Sequence, residues 1–195
     1  MPPFYHAPVR CFVALDLPAP VRNHLAGLAT RFGTKGKVKW VPADQLHLTL
    51  VFAGDLDRAA VDALADELRQ VACPRLSLQL EGLGHFPPRG EPRVVWAQLG
   101  GDVAALQALY EDLADRAERH GVERDKRGFV PHVTLGRVRS RFGAYALVDE
   151  LPKVAAELNR KPFAPTALVL YESELRPAGP IHTPLVRCPA PTAEG

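Results

Sequence analysis

His47-Leu48-Thr49-Leu50 and His132-Val133-Thr134-Leu135 are one four-residue word written twice: histidine, aliphatic, threonine, aliphatic. Each copy lies in an apolar run suited to a β-strand, where successive side chains point to opposite faces. Each histidine therefore shares a face with the threonine two residues on, while the aliphatic residues turn to the core. A single such pair is ordinary, because a histidine on a half-buried strand is commonly a hydrogen-bonded structural residue. Repetition changes the reading. His6, His24, His85, His120 and His182 all lack a Ser or Thr at the second following position, so the word is not a by-product of composition.

Around the first word, residues 46–52 read as a strand that Gly54 and Asp55 end. Asp57 suits a helix N-cap, and Val61, Leu64, Ala65, Leu68 and Val71 recur at helical spacing until Pro74 stops them. Upstream, residues 9–17 form a compact strand closed by Pro18 and Pro20, and a helix follows over 21–32. A Gly/Lys loop at 33–39 leads into a short strand, 38–41, that carries Trp40. Ahead of the second word, 76–80 alternates as a half-buried strand does. The Gly- and Pro-rich segment 82–92, with His85, Phe86, Arg89 and Glu91, reads as a loop over a cleft. Residues 93–99 form a strong strand. Asp102 then caps a helix striped by Val103, Leu106, Leu109, Tyr110, Leu113 and Ala117, which Gly121 ends. The second histidine strand is 130–135. Beyond it come a helix over 147–158 with Pro152 near its start, strands at 167–171 and 181–187 around a turn at 176–180, and a frayed tail from Pro189. Strand, helix and histidine strand thus recur in each half. That order predicts an α+β fold of two pseudo-symmetric lobes, each an antiparallel sheet with helices packed outside, facing across a central cleft. The lobes are expected to be intertwined in a single domain spanning 1–195.

With 195 residues, 47% hydrophobic and 24% charged, the chain has the make-up of a soluble globular protein and the length for one domain or two small lobes. A net charge of +2 tolerates a polyanionic ligand without demanding one. Cys11, Cys73 and Cys188 form no C-x-x-C and cannot all pair, which disfavours a disulfide scaffold and a zinc knuckle. The apolar run 11–15, cut by Asp16 and Pro18, is too short for a signal peptide, and no run approaches membrane-spanning length. The expectation is a cytoplasmic monomer in a reducing compartment, without membrane association.

Two His/Thr pairs across a cleft suit in-line displacement at phosphorus. A histidine near its ordinary pKa serves as base or acid at neutral pH, and two can divide the roles between attacking and departing oxygens. The threonine hydroxyls can hydrogen-bond the nonbridging oxygens as their charge grows. Threonine is a poor zinc ligand, and no nearby Asp, Cys or third His completes a tetrahedral site, so neither metal nor cofactor is expected. A serine hydrolase would need G-x-S-x-G and a nucleotide triphosphatase a P-loop; the sequence has neither.

The paired H-x-T words, set in His-Leu-Thr-Leu-Val-Phe-Ala-Gly and Phe-Val-Pro-His-Val-Thr-Leu-Gly-Arg, resemble those of the two-histidine (2H) phosphoesterase superfamily. Within it the chain is most similar to the RNA 2',3'-cyclic phosphodiesterases, also called 2'-5' RNA ligases. Residues 10–16, 92–96 and 170–173 and Gly179-Pro180 support this branch. Ala53 departs from a larger apolar residue, and His182 from an aromatic. The resemblance implies metal- and ATP-independent opening of RNA 2',3'-cyclic phosphate ends to 2'-phosphates, with 2'-5' joining to a 5'-hydroxyl as a weaker activity. The resemblance makes the ends of tRNA halves one candidate substrate; small cyclic nucleotides, ADP-ribose cyclic phosphate and a non-catalytic RNA-end binding role stay open. It further implies His47 as general acid on O3' and His132 as general base on water, with Thr49 and Thr134 holding the phosphate. Arg137, two residues past Leu135, is expected to return to the face of His132 and bond a phosphoryl oxygen. Phe129 is a candidate for stacking on a base, with core packing as the alternative. Trp40 and the His85-Phe86 segment are read as packing or rim.

Overall fold

The computed structural model describes residues 7–140, 142–177 and 179–191. In chain order it contains β1 (Val9–Asp16), α1 (Ala19–Ala29), β2 (Val38–Trp40), β3 (His47–Leu56), α2 (Arg58–Arg69), β4 (Leu78–Phe86), β5 (Val94–Gly101), α3 (Val103–Glu118), β6 (His132–Val138), α4 (Ala144–Ala155), β7 (Ala167–Arg176) and β8 (Gly179–Pro189). The strands run β4-β5-β6-β3-β1-β7-β8, all antiparallel, with β2 also paired to β6. The histidine strands β3 and β6 are neighbours, yet they share a single registered pair, Leu48 opposite Val133. That pair is the narrow seam at which two four-stranded halves join in one eight-stranded sheet. Lobe one is β3-β1-β7-β8 and lobe two is β4-β5-β6-β2, so the α+β fold of two pseudo-symmetric lobes expected from sequence is the fold observed.

The lobes exchange their helices. α1 follows β1 of lobe one but packs toward β6, and α3 follows β5 of lobe two but packs on β3; α2 lies on β8, β7 and β1, and α4 on β4. Leu25 and Leu28 of α1, Leu64 and Leu68 of α2, Leu106 and Leu113 of α3, and Leu147 and Val154 of α4 are buried in one continuous core. Each crossing helix buries apolar surface against the other lobe, which ties the lobes together without a broad strand pairing.

Several local expectations need correction. Gly54 does not end β3; it takes φ +72° at a ladder irregularity, and the strand continues to Leu56. α2 begins as read, with Asp57 Oδ1 accepting from Ala60 N–H at 2.7 Å, but ends at Arg69, before Pro74. Asp102 does not cap its own helix, since its carboxylate instead accepts the Ser77 N–H at 2.8 Å. Residues 82–86 are not loop. They extend β4, because Gly84 lies under the Trp96 indole, where a β-carbon would stand 2.5 Å from a ring carbon. Only glycine admits that approach. Pro152 falls late in α4 rather than near its start, the helix beginning at Ala144. β8 continues through Pro189, and the rest of the expected tail, 192–195, lies outside the described residues.

Candidate active site

The two words use the same local device. Nδ1–H of His47 donates to the Gln45 carbonyl and Nδ1–H of His132 to the Val130 carbonyl, both at 2.7 Å and both two residues upstream. Fixing Nδ1 as the protonated nitrogen leaves Nε2 of each ring with the lone pair, available to take or give a proton. The Leu48–Val133 pair brings the words together in antiparallel register, so that Thr134 faces the His47 end and Thr49 the His132 end of the seam.

Which residues join them follows from the ladders. In β5, core-facing Val95, Ala97 and Leu99 are buried and alternate with Val94, Trp96 and Gln98. Trp96 pairs with Thr134 and Gln98 with His132, which assigns that second set to the face of the two histidines, the candidate catalytic face. Beyond Thr134 the ladder skips Leu135: Gly136 pairs with Val95 and Arg137 with Val94. Strict alternation along β6 would put Arg137 on the core side with Val133 and Leu135. The bulge at Leu135 inserts one residue and returns Arg137 to the catalytic face. Lobe one repeats this. Thr49 pairs with Ala14 and Val51 with Val13, skipping Leu50, and Phe52 then pairs with Phe12 on the catalytic face. Phe52 is the counterpart of Arg137. Its ring is 54% exposed and carries the Arg10 guanidinium 4.8 Å above it.

Aromatic rings wall each imidazole. His47 stacks on Phe12, ring centroids 4.8 Å apart, and Phe12 stacks in turn on Tyr171 at 5.3 Å. His182 stands edge-on to both His47, at 5.5 Å, and Phe12, at 4.9 Å. In lobe two, His132 meets Phe86 edge-on at 5.1 Å and Trp96 at 5.9 Å, while Phe86 and Trp96 stack at 4.9 Å. Phe86 and Tyr171 occupy equivalent ladder positions, opposite Val94 and Phe12. Sequence reading missed Phe12, Tyr171, Trp96 and Phe52 as site residues. The signal available was their place on the strands flanking each word, on the same face as the histidine.

The six residues singled out from sequence divide five to one. His47, Thr49, His132, Thr134 and Arg137 share the catalytic face by ladder register. Phe129 does not join them. Its ring lies flat on Tyr110 of α3, centroids 4.5 Å apart and planes 8° from parallel, and packs against the core. The ring does what a core aromatic beside a strand does by default, and of the two roles open to it from sequence it takes packing; Phe52 is the exposed aromatic on the histidine face. Trp40 likewise stacks on buried Phe32.

Burial pushes His47 down from 6.5 to about 4; the Gln45 carbonyl and Asp16 oppose this, while His182 and His132 add to it. His132 and His182 are lowered too, chiefly by burial. Asp16 pairs with His47 across the β1–β3 ladder, and its carboxylate accepts from Tyr171 Oη at 2.7 Å and pairs with Arg187. The corresponding neighbour of His132 is uncharged Gln98. Between pH 6.5 and about 4 the unfolded chain therefore binds a proton at position 47 that the folded chain does not, so stability falls as pH falls through that window. Urea midpoints at pH 7 and pH 5 should show this drop, and His47→Gln should reduce it. An unchanged pH dependence in that variant would mean the imidazole is not held neutral by burial.

Among the described residues, no group of three His, Cys, Asp or Glu side chains is placed to hold a metal ion, and no helix is long and apolar enough to cross a membrane. All three cysteines are unpaired.

Comparison with known proteins gives the family. The chain belongs to the 2'-5' RNA ligase superfamily, whose family model matches residues 17–176. It is 30% identical to an RNA 2',3'-cyclic phosphodiesterase of Thermotoga maritima over 92% of this chain and 95% of that one. It is 32% identical to that of Methanothermobacter thermautotrophicus, over 90% and 95%. Among solved structures, E. coli LigT complexed with 3'-AMP superposes with a TM-score of 0.75 at 28% identity, covering 94% of this chain and 98% of that one.

Proposed function

We propose that this protein opens RNA 2',3'-cyclic phosphate ends to 2'-phosphates, using its two histidines as an acid and base pair and no metal ion or ATP. The observation that carries the reading is the pair of imidazoles, each tethered through Nδ1 and joined across the Leu48–Val133 seam. The names of the relatives over most of the chain support the substrate class. In the reaction, His132 Nε2 takes a proton from water as its oxygen attacks phosphorus. The P–O3' bond breaks and His47 Nε2 protonates O3', leaving a 2'-phosphomonoester and a 3'-hydroxyl. Thr49, Thr134 and Arg137 hold the nonbridging oxygens, with Arg137 supplying a charge-assisted bond.

Asp16 is the reason for giving His47 the acid role. A carboxylate beside that imidazole favours its protonated form, whereas His132 faces neutral Gln98 across its ladder. Burial opposes the proton before substrate binds, and the arriving phosphate anion adds the negative charge that restores it. A 5'-hydroxyl in place of water makes the same displacement yield a 2'-5' linkage. Phe52, exposed beneath Arg10, is the aromatic suited to stack on a substrate base. A cytoplasmic setting keeps the three thiols reduced.

The test is incubation of the purified protein, with EDTA present, with an oligoribonucleotide ending in a 2',3'-cyclic phosphate. The expected product ends in a 2'-phosphate. A 3'-phosphate would reverse which oxygen leaves, and no turnover of any cyclic phosphate would end the hydrolase reading.

A further inference from the structure

The far end of the lobe-two sheet carries a concentration of positive charge that the acid and base chemistry leaves unused. Lys39 stands opposite Arg137 in the β2–β6 ladder, on the catalytic face. Arg139, two residues beyond Arg137, continues that row about 7 Å further along the strand. Its N–H donates to the Lys37 carbonyl at 3.0 Å, which brings Lys37 alongside. Lys37, Arg137 and Arg139 are exposed, and no carboxylate among the described residues pairs with them. Glu150 of α4, close by, is already bridged to Lys35 at 2.8 Å and Lys153 at 3.1 Å.

Two exposed aromatic rings lie in the segment that follows the row: Phe142 is 89% exposed ahead of α4, and Tyr145, 64% exposed, is in the first turn of α4, a helix that packs against residues 35–37. Phe142 is held there by its N–H donating to Ser140 Oγ at 3.2 Å. By contrast, Arg124 sits among Glu111, Asp115 and Glu118, and Arg116 between Glu67 and Asp112. A chain of net charge only +2 thus keeps Lys37 and Arg139 exposed and without a carboxylate pair among the described residues, next to its phosphate-binding arginine and ahead of two open rings. A row of cations that tracks a backbone, bordered by stacking platforms, is the recurring design for single-stranded nucleic acid.

We propose that Lys37, Lys39 and Arg139, with Phe142 and Tyr145, bind the single-stranded body of the RNA whose cyclic-phosphate end occupies the active site. The inference rests on the proposed function and deepens it, because it makes the substrate a polynucleotide rather than a free cyclic nucleotide. RNA leaves the reacting phosphate past Arg137 and follows the row, its phosphates on the cations and its bases on the two rings.

The experiment compares a cyclic mononucleotide with a cyclic-phosphate oligoribonucleotide of about nine residues, a length within the range of single-strand sites. In the unmodified protein KM should fall tenfold or more with the longer substrate. Lys37→Glu/Arg139→Glu, and separately Phe142→Ala, should remove most of that gain while leaving kcat and KM for the mononucleotide unchanged. The same oligoribonucleotide with an unreactive 3'-hydroxyl end, followed by fluorescence anisotropy, reads the surface without turnover. Its affinity should fall with salt at a log–log slope near −2, as about three neutralised phosphates require, and weaken in both variants. A KM independent of length would overturn the proposal, as would inert RNA bound equally by the variants. If no cyclic phosphate is opened at any length, the proposed function fails, and the anisotropy series still decides on the surface. Loss of anionic-vesicle binding in the variants, with RNA binding intact, would reassign the row to a membrane.

Discussion

His47→Ala and His132→Ala are each expected to lower kcat on a cyclic-phosphate RNA by about 10²- to 10⁴-fold while the protein stays folded. That range is about 2.7 to 5.5 kcal/mol of barrier, the contribution of one positioned proton-transfer group. Two features keep the loss chemical rather than structural. Leu48 and Val133, which form the seam, are untouched, and the carbonyls that bind Nδ1, of Gln45 and Val130, lie next to solvent-accessible segments where water can replace the ring. Because His47 also stacks on Phe12, His47→Gln is the companion variant that removes the titrating ring with a smaller change in volume. The two losses should not add, since a step lacking either proton transfer gains little from the other. Thr49→Val and Thr134→Val remove a hydrogen bond rather than a proton path and should cost less. Rapid-quench turnover with far-UV circular dichroism on the same samples measures both quantities. Near-full activity in His132→Ala would remove the base from the mechanism.

How far the sequence anticipates this site depends on which physical rule each residue obeys. The two words are legible because strand alternation acts within three residues, too short a span for a bulge to interfere. The lobes are legible because apolar periodicity marks α2 and α3 well, and Asp57 caps α2 as its type suggests. Past the words, alternation fails. Bulges at Leu50 and Leu135 shift the faces by one residue, so Phe52 and Arg137 reach the catalytic side against a period of two. Two residues past Leu135 is the core side under strict alternation, so the spacing argued for Arg137 does not place it; the bulge does, and the family pattern favours only its role, whereas Phe52 has no such support. The segment 82–86 resembles a loop because its glycines suit turns, yet Gly84 serves the close approach of Trp96, a long-range cause that a local reading cannot contain. The exchange of α1 and α3 between lobes is equally non-local, since the same apolar stripe packs as well on either sheet. Phe129 shows the reverse case, a residue near the word in sequence whose ring is taken by Tyr110.

Leaving-group chemistry should separate the two histidines, which the pseudo-twofold otherwise makes interchangeable. A cyclic substrate with sulfur in place of O3' expels a thiolate, and a thiol with an ordinary pKa of about 8.5 departs without being protonated. The general acid then becomes dispensable and the general base does not. With His47 as acid, His47→Ala should recover to within about tenfold of the unmodified protein on the sulfur substrate, while His132→Ala stays 10²- to 10⁴-fold down. The reasoning traces to one asymmetry in an otherwise repeated site: Asp16 faces His47 where Gln98 faces His132. Asp16→Asn should therefore slow the oxygen substrate more than the sulfur one, since it weakens the hold on a proton that only the oxygen substrate needs. Recovery of His132→Ala in place of His47→Ala would exchange the roles and assign the burial that lowers His47 to about 4 the task of keeping it a base. Recovery of neither would mean that O3' takes its proton from solvent, and that the second imidazole serves the phosphate by charge alone.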